Sequence, residues 1–446
     1  MLNKINVPRG AEDILKKLKE SSYEAYVVGG CVRDSLLGRT PQDFDITTNC
    51  LPEVIINIFK ATHKVIPTGL KHGTVTLIGN DKIPYEITTY RIDGEYLDNR
   101  HPEKVEFTSS LKNDLLRRDF TINALAYNHE DGLVDCFGGI SDLKNKIIRC
   151  VGKANDRFNE DALRMLRAIR FQAQLNFSLD RDISESIPNL SNNIKYVSIE
   201  RIREEFNKII ISDGSKVKQL YNFGLLQYFI PEFESCFNTR QNNIYHVFNV
   251  GEHILCSINN IEKDLVLKLT MFFHDIGKPN CLSTDEKGID HFYKHPKESI
   301  RLAKEILTRM KYDNKTIERV LILVEYHDIQ ITTQKQIRRL LNKIGEDNLT
   351  DLLKVKEADI KAQNLDFYSE RHKNLKMLEI EINNIIEEKQ CFSLKDLNIN
   401  GNELIELGIE PGKKIGAALN LLLDKVLESP ELNTKEKLIE IARNLY

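Results

Sequence analysis

Apolar residues recur at two spacings along the first third of the chain, and their alternation predicts a mixed architecture. Ile14, Leu15 and Leu18 fall three to four residues apart, which predicts a helix over residues 11–20. Tyr26-Val27-Val28 is a short β-branched run, broken at Gly29-Gly30. Val32, Leu36 and Leu37 then give an amphipathic turn of helix that Gly38 and Pro41 stop. Asp43-Phe44-Asp45-Ile46 alternates polar and apolar, as an extended strand does. A helix follows Pro52, with Val54, Ile55 and Ile58 on one side, and strands are predicted around Val65, over residues 75–78 and over 85–89. Beyond about residue 145 only helical periods return, at 159–171, at 197–211, in an apolar helix ending at Met271-Phe272-Phe273, and from 374 to 389. The pattern predicts an α+β head with a mixed sheet over residues 1–145, followed by helical segments over 146–235, 236–365 and 366–446.

Composition narrows the class. A chain of 446 residues has ample core and needs neither metal nor disulfide merely to fold. Its eight cysteines show no CxxC spacing, which fits free thiols in a reducing compartment. The charged N-terminus and the lack of any long apolar run predict a cytoplasmic protein with no membrane partner. A net charge of −3 offers no whole-molecule attraction for nucleic acid, so an RNA would be held by local basic patches and by shape.

The chemistry concentrates at residues 26–47. In a strand, residues two apart point the same way, so Asp43 and Asp45 present two carboxylates to one face while Phe44 and Ile46 pack on the other. Two ionised carboxylates that close repel unless a divalent cation lies between them, which leads us to expect Mg²⁺. Gly29 and Gly30 lack Cβ atoms and open the next helix, where backbone N–H groups and Arg33 could receive a phosphate. The plain alternative is a tight strand-to-helix turn followed by a polar strand edge. Further on, Arg117-Arg118-Asp119-Phe120-Thr121-Ile122-Asn123-Ala124-Leu125-Ala126-Tyr127 reads as a helix start, with Asp119 capping and Ile122, Leu125 and Ala126 buried. In residues 159–171, Leu163, Leu166 and Ile169 and Arg164, Arg167 and Arg170 each repeat every three residues, giving adjacent apolar and basic stripes. Such a basic stripe is ordinarily a solvated face. Asp161 and Arg164, read as sharing one face, offer the acceptors and donors needed to hydrogen-bond a base edge.

Gly29-Gly30-x-x-Arg33-Asp34 with Asp43-x-Asp45 resembles the active-site signature of the class II tRNA nucleotidyltransferases and bacterial poly(A) polymerases, a branch of the polymerase-β-like superfamily. The resemblance implies a nucleotidyltransferase head in which Asp43 and Asp45 hold Mg²⁺ with Glu86 as a third acid, and in which Gly29, Gly30, Arg33 and Arg118 contact the triphosphate. RRDFTINALAY is similar to the family's second motif. Glu160-Asp161-x-x-Arg164 resembles the motif whose side chains replace a template, with Arg167 and Arg170 beside it. The polar stretch over 93–106 resembles the flexible loop used when nucleotide choice switches from C to A, with Asp98 and Arg100 as matching charges and His101 where a second arginine is associated with the loop. Residues 197–211, with Arg201, Arg203 and Lys208, resemble the family's neck. The run from Gly401 to Gly416, with Lys413 and Lys414, resembles its tRNA-gripping end. The partners implied are tRNA, CTP and ATP, with no DNA.

A second constellation begins at His246. His274-Asp275, His295, His327 and Asp359 follow it in an order that resembles the HD phosphohydrolase superfamily. His246, His274, Asp275 and Asp359 are the implied ligands of a second divalent metal, with His295 and His327 as further candidates; His253 matches no motif. The function expected is template-independent addition or repair of the tRNA 3′-terminal CCA. The alternatives are an A-adding enzyme or poly(A) polymerase, an HD-type phosphohydrolase of RNA-terminal or cyclic phosphates, and a non-catalytic RNA-binding protein.

Overall fold

A computed structural model of the chain describes residues 5–94, 105–388, 390 and 392–445. The chain divides into two compact units, Met1–Pro231 and Glu232–Tyr446.

The first unit is built on a mixed sheet. Its strands are β1 (Ala25–Val28), β2 (Asp45–Thr48), β3 (Lys64–Gly69), β4 (Thr74–Ile78), β5 (Pro84–Thr89), β8 (Leu125–Asn128) and β9 (Gly132–Asp135), in the order β3-β4-β5-β2-β1-β8-β9. β6 (Arg91–Asp93) and β7 (Val105–Phe107) form a separate antiparallel ribbon. β1 is buried along its whole length and pairs with a strand on each side. β5 instead alternates, with Tyr85, Ile87 and Thr89 inward and Glu86 outward. β2 and β5 run parallel, and the crossover between them carries the Pro52–Phe59 helix and the β3–β4 hairpin. Tyr26, Val28, Tyr90, Leu115, Ala124, Ala126 and Val151 form a fully buried cluster beneath the central strands.

Helices Ala154–Glu160, Leu163–Leu175, Arg181–Leu190 and Ile199–Ser212 continue this unit, and Leu163–Leu175 packs along Ile199–Ser212. Phe171, buried on the first of these, meets Phe120 edge-on at 5.6 Å between centroids. The second unit is helical apart from the ribbon Leu282–Thr284 with Asp290–Phe292. Its longest helix, Gln334–Lys361, is interrupted at Gly345 (φ 80°), a left-handed position that suits glycine. The final helices Gly401–Glu406, Lys413–Glu428 and Lys435–Leu445 close around Leu404, Leu422, Val426 and Leu438.

The strand predicted from Asp43 begins only at Asp45, so Asp43 and Phe44 precede it, and two predicted helices also differ from the structure. The segment after Arg118 is no helix: Leu111–Leu116 is helical before the arginine pair, Thr121–Asn123 is a single 3₁₀ turn, and β8 begins at Leu125. Ile122, Leu125 and Ala126 are buried as expected, but Ile122 lies in the 3₁₀ turn, and Leu125 and Ala126 lie on a strand between β1 and β9, where sheet pairing outweighs local helical spacing. The helix expected over 159–171 is two helices that part at Asp161, whose carboxylate accepts the Leu163 N–H at 3.1 Å and so restarts the turn.

Candidate active site and a histidine–aspartate centre

Three carboxylates gather where β2 begins, on one face of the first unit's sheet. Asp45 opens β2 opposite Val28 of β1, while Asp43 lies two residues upstream of the ladder. The parallel register Ile46↔Ile87, taken one step back, sets Asp45 level with Glu86 on β5, so both side chains leave the same face. Asp43, Asp45 and Glu86 are solvent-accessible, whereas Ile46 and Ile87 are buried. Among the described residues, no hydrogen bond or ion pair reaches any of the three carboxylates. Burial by surrounding protein, then repulsion from Asp43 and from Glu86, push the Asp45 carboxyl up to about 6, against the opposing pull of Arg118. A set of hard oxygen donors short of positive charge fits a divalent cation such as Mg²⁺.

Gly29 connects this edge to the arginines. Its φ of 83° favours glycine, and a Cβ there would stand 3.1 Å from Arg118 Nη1, so the backbone and the guanidinium lie almost in contact. At Gly30 the nearest atom to such a Cβ is Arg33 Nη2 at 3.7 Å, an ordinary contact. Arg118 lies 3.6 Å from Asp114 Oδ2, and its Nε has no hydrogen-bond partner among the described residues. Burial lowers the Arg118 pKa, against the pull of Asp114 and Asp45. Arg33 is fully engaged. Its Nε and Nη2 donate to Asp34, each at 2.9 Å, and its Nη1 donates to Asn123 Oδ1 at 2.6 Å.

From Arg33 the hydrogen bonds run on into the neck. Asn123 Nδ2 donates to Asp119 Oδ1 at 3.1 Å, and Asp119 Oδ2 accepts from Arg167 Nε at 2.8 Å and Nη2 at 2.5 Å. Burial would raise the Asp119 pKa, but Arg167, Asn123 and Arg164 outweigh it and hold the carboxylate well below its usual range. Arg170 Nε sits 3.0 Å from the buried Glu205 carboxylate. Burial lowers the Arg170 pKa to about 10, opposed by Glu205. The guanidinium carbons of Arg33, Arg167 and Arg170 lie 5.0, 5.6 and 4.1 Å from the Phe171 ring centroid. The arginine stripe is therefore no solvated face. Arg164 is buried, donating to the carbonyls of Arg157 and Arg117 at 3.1 Å each and to Glu160. The Asp161 oxygens instead accept from Arg201.

Asp114 and Glu205 escaped the sequence reading, which held Asn123 and Phe171 only as members of their motifs, without these contacts. Asp114 carries a weak signal, since it stands three and four residues before Arg117 and Arg118, and it accepts from Arg117 Nε at 2.9 Å and Thr47 Oγ1 at 3.1 Å. Glu205 carries none, because acids on amphipathic helices are common. Asp98, Arg100 and His101 lie outside the described residues. Lys414 pairs with Glu410 at 2.8 Å, and Lys413 is exposed at the start of its helix.

In the second unit, four imidazoles share one arrangement. Nδ1 of His253, His274, His295 and His327 faces the carbonyls of Ala362, Met271, Phe292 and Val324 at 3.2, 2.7, 2.9 and 2.8 Å. A ring nitrogen facing a carbonyl must carry the proton, so in the neutral imidazole each Nε2 is left with a lone pair. Burial would lower the pKa of His253 and His274, but Asp275 and Asp359 outweigh it and raise both, so a metal there would displace their Nε2 protons. Those lone pairs meet: His253 and His274 Nε2 are 3.2 Å apart, and His295 and His327 Nε2 are 3.1 Å apart. Asp359 Oδ1 joins the first pair at 2.9 Å from His253, and Asp275 presents Oδ2 to the first pair and Oδ1 to the second. The donors form two triads, His253–His274–Asp359 and Asp275–His295–His327, suited by number and type to divalent metals. His253, which no motif marked, stands in the first triad. His246 stands outside both, on the wall of an adjoining cavity of ≈ 500 Å³, with its ring centroid 5.3 Å from that of His253. Burial lowers the His246 pKa to about 3, and Lys278 adds to the effect.

Comparisons with known proteins agree along the whole chain. Family models of the poly A polymerase head domain, of the probable RNA and SrmB-binding site of polymerase A, and of tRNA nucleotidyltransferase domain 2 match residues 25–149, 176–237 and 284–442. The CCA-adding enzyme of Leuconostoc mesenteroides is 32% identical over 97% of this chain and 95% of its own length. The chain belongs to the CCA-adding enzyme family. The CCA-adding enzyme of Ligilactobacillus salivarius is 33% identical over 99% of this chain and 98% of its own. Among solved structures, the Bacillus stearothermophilus CCA-adding enzyme in complex with CTP superposes with a TM-score of 0.72 at 28% identity, covering 98% of this chain and 97% of that one. CCA-adding enzymes are nucleotidyltransferases that use a divalent metal, and no helix among the described residues is long and apolar enough to cross a membrane.

Proposed function

We propose that this chain adds or repairs the 3′-terminal CCA of tRNA from CTP and ATP without a template, releasing pyrophosphate in the cytoplasm. The observation that carries the reading is the meeting of Asp43, Asp45 and Glu86 with Gly29 and Arg118, in a chain similar from end to end to CCA-adding enzymes. Asp43 and Asp45 would hold Mg²⁺, with Glu86 adding negative charge beside them. Magnesium bound there lowers the pKa of the RNA 3′-hydroxyl and neutralises charge on the triphosphate. Gly29 and Gly30 leave room for the triphosphate against the backbone, and Arg118, with a spare Nε, binds its oxygens. Arg33, clamped by Asp34 and Asn123, contributes chiefly by fixing the wall on which Gly30 stands. Asp161 and Arg164 read the base, and Arg167 and Arg170 hold that reader to the head.

We assign residues 1–145 to the catalytic head, 146–235 to the neck, 236–365 to an HD domain and 366–446 to tRNA binding. The direct test supplies purified protein with tRNA ending at the discriminator base or after CC, and labelled CTP or ATP. Failure to extend either end overturns the reading. Arg164→Ala keeps turnover but blurs discrimination against UTP and GTP; unchanged selectivity removes the base-reading role.

The converging Nε2 lone pairs favour a second reading alongside the first: the histidine–aspartate centre binds a divalent transition metal. Lys278 and Arg371 line its cavity and would attract a phosphate ester. Release of phosphate from RNA ending in a 2′,3′-cyclic or 3′-phosphate, abolished by His274→Ala and indifferent to Asp43→Ala, supports this reading. Metal analysis that finds no ion bound to the wild type removes it.

A further inference from the structure

The Ile199–Ser212 helix places two charged residues one turn apart against the proposed base-reading segment. Arg201 forks onto Asp161, with Nη2 at 2.8 Å from Oδ2 and Nη1 at 3.4 Å from Oδ1. Glu205, only 4% exposed, lies 3.0 Å from Arg170 Nε and 4.0 Å from Arg167 Nη1. Residues four apart share a helix face, so one rigid surface holds the acid of the reader and two of its arginines at once. A forked guanidinium fixes the plane of a carboxylate as well as its position. The Leu163 N–H, donating to Asp161 Oδ1 at 3.1 Å, fixes the plane from the other side.

That plane matters for choosing a base. Cytosine and adenine both present an amino donor beside a ring-nitrogen acceptor, whereas uracil and guanine present an oxygen acceptor beside an N–H donor. An acceptor–donor pair rejects the second group only if it cannot rotate to suit them, since rejection comes from buried groups left unpaired. From this geometry we propose that Arg201 and Glu205 are positioning residues for nucleotide selection, holding Asp161, Arg167 and Arg170 as a rigid substitute for a template strand. The proposal rests on the reading of Asp161 and Arg164 as the base-contacting pair.

The test measures kcat and KM of the full-length enzyme for CTP, ATP, UTP and GTP on tRNA lacking its CCA. Arg201→Ala and Glu205→Gln are expected to lower the preference for CTP over UTP by about tenfold, through a higher KM for CTP with kcat nearly unchanged. Arg201→Lys is expected to restore only part of that preference, because one ammonium cannot fork across a carboxylate. Glu205→Gln keeps shape and volume, so it remains informative if Arg201→Ala folds poorly. An equal fall in kcat/KM for all four nucleotides, with selectivity kept, overturns the proposal. Arg164→Ala, run in parallel, separates the two claims. If it blurs selectivity and the Arg201 and Glu205 variants do not, only the clamp falls; if none of them does, the base-reading assignment falls with it.

Discussion

Asp45 stands at the open end of a strand with two further carboxylates near it and Arg118 as the opposing cation. Asp275, by contrast, is fully buried, with Lys278 Nζ at 2.7 Å and imidazoles on both sides. The first group of acids is accessible and is not tied down by hydrogen bonds among the described residues. The second is a cage whose histidines are each oriented by a backbone carbonyl. An accessible, unsatisfied oxygen site suits a cation that arrives with substrate. A preorganised nitrogen-rich site suits one that stays. Local spacing was enough to pair Asp43 with Asp45, while Glu86 came from resemblance and the caged centre includes a residue, His253, that no motif marked.

The largest test of this contrast is a double dissociation. Asp45→Ala is expected to lower nucleotide addition by about a thousandfold or more, as loss of a metal ligand should, while tRNA binding holds and the melting temperature does not fall. His274→Ala should leave addition intact and cost thermal stability, because it breaks a buried cluster. Addition lost equally in both variants would erase the distinction. Asp119→Asn probes the bridge from head to neck. It leaves Arg167 with only Glu205, 4.0 Å away, and denaturant unfolding should show a loss of about 3 kcal/mol.

The pH dependence of the head follows from Asp45. Its folded pKa of about 6 lies above the ordinary carboxylate value, so between pH 4 and 6 the folded protein holds more protons than the unfolded chain. Stability from this group is therefore present at low pH and declines as pH rises through about 6. In magnesium-free buffer, the stability difference between wild type and Asp45→Asn should shift in favour of Asp45→Asn over that interval, and adding Mg²⁺ should reverse the shift. A difference that stays flat with pH would mean that neither burial nor repulsion from Asp43 and Glu86 raises the Asp45 carboxyl. Phe171→Leu is the mildest change. It removes the ring that three guanidiniums cover, and about 1–2 kcal/mol of stability should go with it, visible as a lower denaturation midpoint.

Much of the head was open to reading because its chemistry is local. Gly29, Asp43, Asp45 and the β1–turn–helix–β2 order lie within one short stretch, where alternation and glycine placement act over a few residues. The stretch bearing Asp98 and Arg100 lies outside the described residues; its composition reads only as polar, and its likeness to a nucleotide-switching loop rests on resemblance. The Asp161 break was missed because the apolar period continues through it, while a single side-chain hydrogen bond resets the backbone.

By itself, the sequence determined the α+β head, the helical remainder, the paired aspartates and the glycine turn, since hydrophobic period and backbone preference operate between near neighbours. Tertiary structure alone decided that Leu125–Asn128 is a strand, that the arginine stripe is buried against Asp119 and Glu205, and that His253 joins His274 and Asp359. Each of those outcomes depends on partners far apart in the chain. A buried charge takes whatever counter-charge the packed fold brings within reach, and spacing along one segment carries no information about it.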